Sequence, residues 1–134
     1  MHIVSVSAEM VPWSKTGGLG DVCGVLPEFL AQRGHQVMTV APLYEYYDDV
    51  EDLGVSQWIH GHQLRFFYKR HGSVDAVFIE HPAITRGHIY GNAQGGFGDN
   101  WFRFSLLVQG ALLAAMHLSF RGEEPFAKSD ELIL

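Results

Sequence analysis

Cysteine is nearly absent. Cys23 is the only one among 134 residues, so no disulfide can form within the chain, and the composition fits a reducing compartment. Charge is also sparse, at 18% of residues, and the basic sign is the scarcer: nine Lys and Arg face fifteen Asp and Glu, a net −6 with histidine neutral. That balance argues against a nucleic acid or an anionic membrane surface as the main partner. There is no block of like charge, no low-complexity tract and no internal repeat, and 47% of residues are hydrophobic. Intrinsic disorder is thereby excluded, and the length suits one globular domain. The chain opens on Met1-His2-Ile3-Val4 without a basic, apolar-cored or Arg/Ser-rich leader.

Long apolar runs are missing but for one, 104–120. Its 17 residues sit at the lower edge of the roughly 17–25 needed to span a bilayer. Arg103, Gly110 and His117 recur every seven residues with Gln109 beside them, which predicts a globular helix over about 100–118, packed on most sides, and no membrane span.

The remainder reads as α/β. Residues 2–7 form a strand without strict alternation, the mark of burial on both faces. From Leu19 to Arg33, the apolar residues Leu19, Val22, Cys23, Leu26, Phe29 and Leu30 recur at helical spacing, with a kink or short break expected at Pro27 and a stop at Gly34. Val37 to Ala41 is a second buried strand ended by Pro42, which completes a βαβ unit. Residues 43–56 read as an irregular aromatic and acidic excursion, and Gln63–Arg70 with Ser73–Glu80 as a hairpin. The glycine-rich loop 82–99 is long enough to suggest function. At the far end, Asp130 to Leu134 looks like a loop entering a strand that stops short, the pattern of a fragment.

Chemistry concentrates in Lys15-Thr16-Gly17-Gly18-Leu19-Gly20-Asp21-Val22, between the first strand and the first helix. Ligands of open α/β sheets bind beyond the carboxyl ends of the strands. A helix start offers unpaired N–H groups and partial positive charge, glycines admit close approach, and Lys15 adds a full charge. The pattern predicts a diphosphate site. A nicotinamide enzyme would carry the glycine turn directly after the strand and an acidic or Arg residue after the second strand, where this chain has Val40-Ala41-Pro42. A Walker loop is excluded, since Lys15 precedes the glycines.

The stretch from Ser7-Ala8-Glu9-Met10-Val11-Pro12-Trp13-Ser14 through Lys15 to Val22 resembles, nearly letter for letter, the opening of plant-type starch synthases and bacterial glycogen synthases, glycosyltransferase family 5. The resemblance continues through Leu26-Pro27, Arg33 to Met38, Val40-Ala41-Pro42, Val77 to Pro82, Ile89-Tyr90-Gly91 and Gly98 to Leu107, leaving only 43–75 and 119–130 loosely matched. Trp13-Ser14 is closer to plastid starch synthases than to bacterial enzymes. The resemblance implies the N-terminal, acceptor-side Rossmann-like domain of a GT-B fold over residues 1–134, incomplete at its C-terminal end. It implies glucose transfer from ADP-glucose to the non-reducing end of an α-1,4-glucan, with retention and with neither metal nor other cofactor. Lys15, Gly17, Gly18 and Asp21 would then serve the nucleotide sugar, and Tyr90 and Asn100 the sugar or glucan side. No catalytic residue is expected within the chain, because the family's supporting histidine follows an Asn-Asp-Trp-His block past the strand at Leu132. These residues alone are therefore expected to be inert. The implied location is the plastid for a photosynthetic eukaryote and the cytoplasm for a bacterium. The rival readings are a non-catalytic glucan-binding remnant of the same fold and, more remotely, a dinucleotide-binding oxidoreductase.

Other residues carry plainer expectations. His60 and His62 lack a placed third ligand, which disfavours zinc and suggests a solvated strand edge. Cys23 reads as a small core residue, and Tyr44, Tyr46 and Tyr47 as a loop packed by its own rings rather than a sugar platform. Asp99 stands where a helix N-cap stands, Arg103 calls for a salt bridge or a domain interface, and Glu123-Glu124 for a solvated loop.

Overall fold

A computed structural model describes residues 1–120, 125, 132 and 133. The elements are β1 (His2–Val6), α1 (Gly18–Gln32), β2 (Gln36–Pro42), β3 (Glu51–Ile59), β4 (His62–His71), β5 (Val74–Glu80), β6 (Gly91–Asn92), β7 (Gly95–Gly96), α2 (Asn100–His117) and β8 (Leu132–Ile133). Six strands form one sheet in the order β3-β4-β5-β2-β1-β8, parallel from β5 to β8 and antiparallel from β3 to β5. The βαβ unit and the hairpin read from the sequence are both present, and the loop 82–99 holds the small β6–β7 ribbon. Glu123-Glu124 lies outside the described residues.

Side chains alternate across the strands and so divide the core. Met38, Val40, Val77 and Ile79 face α2 together with Leu64 and Phe66. Ala41, Ala76 and Phe78 face the other way, toward Met10, Leu43 and Phe67. β2 is buried from Val37 onward, as a central parallel strand should be. β1 is less covered than its sequence suggests, with Val6 40% exposed.

Three expectations are corrected. Of the expected excursion 43–56, residues 51–56 belong instead to β3 (Glu51–Ile59). It is an edge strand, mostly in contact with solvent and irregular between Asp52 and Ser56, so it lacks the apolar run that marks a buried strand. The large apolar residues of α1 do not form its buried face: Leu19, Val22, Leu26 and Phe29 are all exposed. Gly20 and Pro27 are the buried residues, and α1 continues unbroken through the proline. The reason is close approach, since a Cβ on Gly24 would lie 2.6 Å from the Val11 carbonyl oxygen. Nor is α2 packed on most sides. Arg103 and Gly110, two members of the supposed polar stripe, lie in its buried face, while Trp101, Val108, Leu112 and Met116 are exposed. Among the described residues no helix is long and apolar enough to cross a membrane.

α1 ends as its sequence requires. Gly34 takes φ +95°, and the amides of Gly34 and His35 return to the carbonyls of Ala31 and Leu30. Its start is unusual, because Gly17 supplies no side-chain cap. The anion comes instead from Glu9, only 2% exposed, which accepts from the amides of Gly17 at 3.2 Å and Gly20 at 3.0 Å. Burial works to raise the Glu9 pKa, but hydrogen bonds from Thr16, Tyr90 and Gly17 outweigh it and hold the carboxyl at about 2.

Two stability predictions follow from this packing. Gly24→Ala drives a methyl into backbone that cannot yield and should cost roughly 1–3 kcal/mol or more. Gly110→Ala should cost less, because its methyl meets only the flexible ends of Ile79 and Leu64; urea unfolding of both variants ranks them. The Glu9 carboxyl falls from an ordinary 4.5 to about 2 on folding, so its contribution is complete above pH 4.5 and lost as the pH falls toward 2. That contribution is of order 3 kcal/mol, and Glu9→Gln should flatten the stability curve over that pH interval.

Candidate functional site

The chain leaves β1 at its carboxyl end and turns at once. Ser7 donates its amide to Val40 O, and its hydroxyl bonds the Glu9 carbonyl at 2.7 Å. These bonds aim the Glu9 side chain back under the segment 15–20. One oxygen, Oε1, accepts from the amides of Thr16, Gly17 and Gly20 at 3.2, 3.2 and 3.0 Å. The other, Oε2, accepts from the Thr16 hydroxyl at 2.7 Å and the Tyr90 hydroxyl at 2.8 Å. One carboxylate thus joins the glycine segment to the distant loop 82–99.

Lys15 and Asp21 sit on the outer side of the same turn. Lys15 Nζ lies 2.7 and 2.9 Å from the two oxygens of Asp21, and both side chains are about half exposed, at 50% and 53%. Gly17 and Gly18 have no steric reason of their own to be glycine: a Cβ on either would meet nothing within 4 Å, and neither takes a positive φ. Gly20 differs, since its Cβ would crowd Ser14 O, Glu9 Oε1 and Lys15 Cα at 3.1–3.3 Å. With the amides of Gly17 and Gly20 committed to Glu9, those of Gly18 and Leu19 carry no partner among the described residues. The turn therefore offers an ammonium group, the positive end of a 15-residue helix and open space above two glycines.

The loop 82–99 is fastened from below by Arg103. Although 1% exposed, Arg103 has no carboxylate partner among the described residues, so the expected salt bridge is corrected. Its guanidinium donates to the carbonyls of Ala83 at 2.6 Å, Ile84 at 3.1 Å, His88 at 3.0 Å and Ile89 at 2.7 Å, and to Asn100 Oδ1 at 2.9 Å. Asn100 donates in turn to the Tyr90 carbonyl at 2.8 Å. Both ends of the Asn100 amide are thus engaged internally, where they hold Tyr90 in place. Asp99 occupies the N-cap position of α2 but makes no capping bond, because Arg86 takes both of its oxygens at 2.9 and 2.6 Å. That pairing lowers the Asp99 pKa and raises that of Arg86.

Glu9 links Gly17 to Tyr90 and, through the Tyr90 carbonyl, to Asn100, while Lys15 and Asp21 pair with each other on the same turn and the Gly18 amide makes no bond among the described residues. Sequence reasoning missed Glu9 as the link. The available signal was a lone acid two residues past a strand and ahead of a helix start, where negative charge is favoured. Tyr44 is buried, with its hydroxyl on the Ala8 carbonyl, and burial pushes its pKa up. Tyr47 packs edge-on against Phe78 and the exposed Tyr46 is tilted against Phe67, so the aromatic segment packs on β4 and β5 rather than on its own rings. His62 is half-buried rather than solvated, 3.3 Å from His81 and edge-on to Phe102. Burial and the neighbouring His62 lower the His81 pKa. His60 lies in the β3–β4 turn at φ +46°, and Cys23 is half-buried. Among the described residues no group of three His, Cys, Asp or Glu side chains is placed to hold a metal ion.

Comparison with known proteins gives a consistent pattern. The family described as starch synthase catalytic domain matches residues 2–126. Soluble starch synthase 1 of Solanum tuberosum is 44% identical over 133 positions, covering 90% of this chain and 21% of its own length. Granule-bound starch synthase 1 of Zea mays is 45% identical over 139 positions, covering 95% of this chain and 23% of its own. Both relatives are described as chloroplastic/amyloplastic. Among solved structures, the catalytic domain of starch synthase IV from Arabidopsis thaliana, bound to ADP and acarbose, superposes with a TM-score of 0.67 at 30% identity, over 84% of this chain and 25% of that one. The chain thus spans between a fifth and a quarter of the length of the proteins it matches. The fold is that of part of a GT-B catalytic domain, and the glycine turn, the βαβ unit and the loop held by Arg103 all lie inside the matched region: the chain belongs to the starch synthase catalytic-domain family, glycosyltransferase family 5.

Proposed function

We propose that this chain is the acceptor-side, N-terminal part of a starch synthase that transfers glucose from ADP-glucose to the non-reducing end of an α-1,4-glucan with retention, in the plastid of a photosynthetic organism. In this reading residues 1–134 belong to that domain, and no metal or other cofactor enters it. The observation that carries it is the open space above Gly17 and Gly18 at the start of α1, beside an ammonium group held only by an exposed partner. Nothing among the described residues requires glycine there, whereas a diphosphate approaching the backbone would. The neighbour solved with ADP and acarbose supports the same choice of ligands.

In this reading Lys15 exchanges Asp21 for the diphosphate. An exposed ion pair contributes only about 0–1 kcal/mol, so the exchange costs little. Lys15 and the free amides of the first turn then face the charge that grows on the departing ADP, where a preorganised cation and N–H dipoles lower the barrier. Tyr90 and Asn100 stand on the sugar side, with Asn100 acting through the Tyr90 backbone. The Asp21 carboxylate, once displaced, is free for a sugar hydroxyl.

Three measurements check this. In the full-length protein, Lys15→Gln should lower kcat/KM for ADP-glucose by roughly 10²–10³-fold. Gly17→Ala and Gly18→Ala should leave the unfolding free energy within about 0.5 kcal/mol while raising the KM for ADP-glucose; unchanged kinetics would remove the diphosphate site. Residues 1–134 alone, incubated with radiolabelled ADP-glucose and maltooligosaccharide, should yield no labelled glucan. Labelled glucan would place the transfer chemistry inside this chain, and glucan affinity without transfer by the full-length protein would favour a binding remnant.

A further inference from the structure

Glu9 has a second consequence, which rests on the reading of the cleft just given. Its Oε2 faces two hydroxyl donors, Thr16 at 2.7 Å and Tyr90 at 2.8 Å, while Oε1 is filled by three amides. A carboxylate can only accept. The Tyr90 hydroxyl must therefore spend its single proton on Glu9, and what remains toward solvent is a pair of lone pairs. Tyr90 is 36% exposed, its backbone is held by Asn100 and Phe97, and its ring is tilted against Phe104.

We infer that Glu9 is a positioning residue that fixes the polarity of Tyr90, making its phenol oxygen an obligate acceptor that takes a hydrogen bond from a sugar hydroxyl in the cleft. The ligand group is a hydroxyl donor, one belonging to the glucosyl donor or to the glucan acceptor; a phosphate or carboxylate oxygen finds no proton there. Burial, followed by the hydrogen bond and charge of Glu9, pushes the Tyr90 pKa to about 12, which agrees with a phenol proton held on a carboxylate.

Glu9→Gln tests this without changing the size of the side chain. The carboxamide keeps an oxygen for the three amides but turns its NH2 toward Tyr90, so the phenol accepts from the protein and presents its proton outward. In the full-length protein, with ADP-glucose and maltooligosaccharide, Glu9→Gln and Tyr90→Phe should each lower kcat/KM by about 5- to 10-fold, the scale of one lost hydrogen bond. The double variant should be no worse than the poorer single. With monodeoxy and monofluoro sugars, the sensitive position should tolerate neither hydrogen nor fluorine in the wild type, because fluorine accepts but cannot donate; Tyr90→Phe should no longer distinguish them from the parent sugar. Additive losses, or tolerance of fluorine at every position, would overturn the inference while leaving the transferase reading intact. A full-length protein that transfers no glucose would instead remove that reading. Tyrosinate absorbance at alkaline pH still decides the Glu9 link in that case: the titration missing in Tyr90→Phe should move from about 12 toward 10 in Glu9→Gln, and an unmoved titration refutes it.

Discussion

A single buried carboxylate holds the two halves of the cleft together. Glu9 supplies an internal anion at the start of α1, where it takes the amides of Gly17 and Gly20 and leaves those of Gly18 and Leu19 open. Five donors around two oxygens offset the cost of burying the charge, which is why the carboxyl stays ionised despite its burial. Because two of those donors are glycine amides and another is a tyrosine eighty-one positions away, the same bonds set where Lys15, Gly18 and Tyr90 stand relative to each other. Removing the side chain altogether would take the common partner from the helix start and the loop together.

Arg103 does the corresponding work beneath the loop. A buried guanidinium with no carboxylate partner is normally expensive, yet four carbonyls and one amide oxygen satisfy it. Phe97 lies against its face, 4.8 Å from guanidinium carbon to ring centre. Carbonyls carry only partial charge, so the arrangement trades electrostatic strength for reach, fastening a glycine-rich segment that has little side-chain packing of its own. Desolvation lowers the Arg103 pKa accordingly. A lysine could not replace it, since it lacks the planar fork that reaches several carbonyls at once.

Close approach explains the two helices. α1 uses Gly20, Gly24 and Pro27 against the segment after β1, and α2 uses Gly110 against Ile79 and Leu64. In both, small residues let the helix come close; α1 leaves its large apolar residues outward, whereas α2 buries Leu106 and Leu107 beside Gly110 and leaves Trp101, Val108, Leu112 and Met116 outward. The glycines of the turn divide the same way: Gly20 and Gly24 serve packing, while Gly17 and Gly18 face open space. A glycine spacing read as a single motif thus holds two physical roles.

The sequence by itself determined the βαβ unit, the buried β2, the β4–β5 hairpin, the stop at Gly34 and the glycine turn before α1, because each depends on residues adjacent in the chain: periodicity, turn glycines and charge beside a helix start. It also carried the family, through a run of residues too specific for composition to imitate. β3 was illegible, since an edge strand facing solvent has no apolar run to announce it. The inner faces of α1 and α2 were misread, because hydrophobic size says nothing about which side a neighbouring backbone approaches. Only the tertiary structure decided that Glu9 caps α1, that Arg86 rather than the α2 amides takes Asp99, and that Asn100 acts on Tyr90. These bonds join residues from separate parts of the chain, and their partners meet only after the sheet has brought the carboxyl end of β1 beside the loop that Arg103 holds.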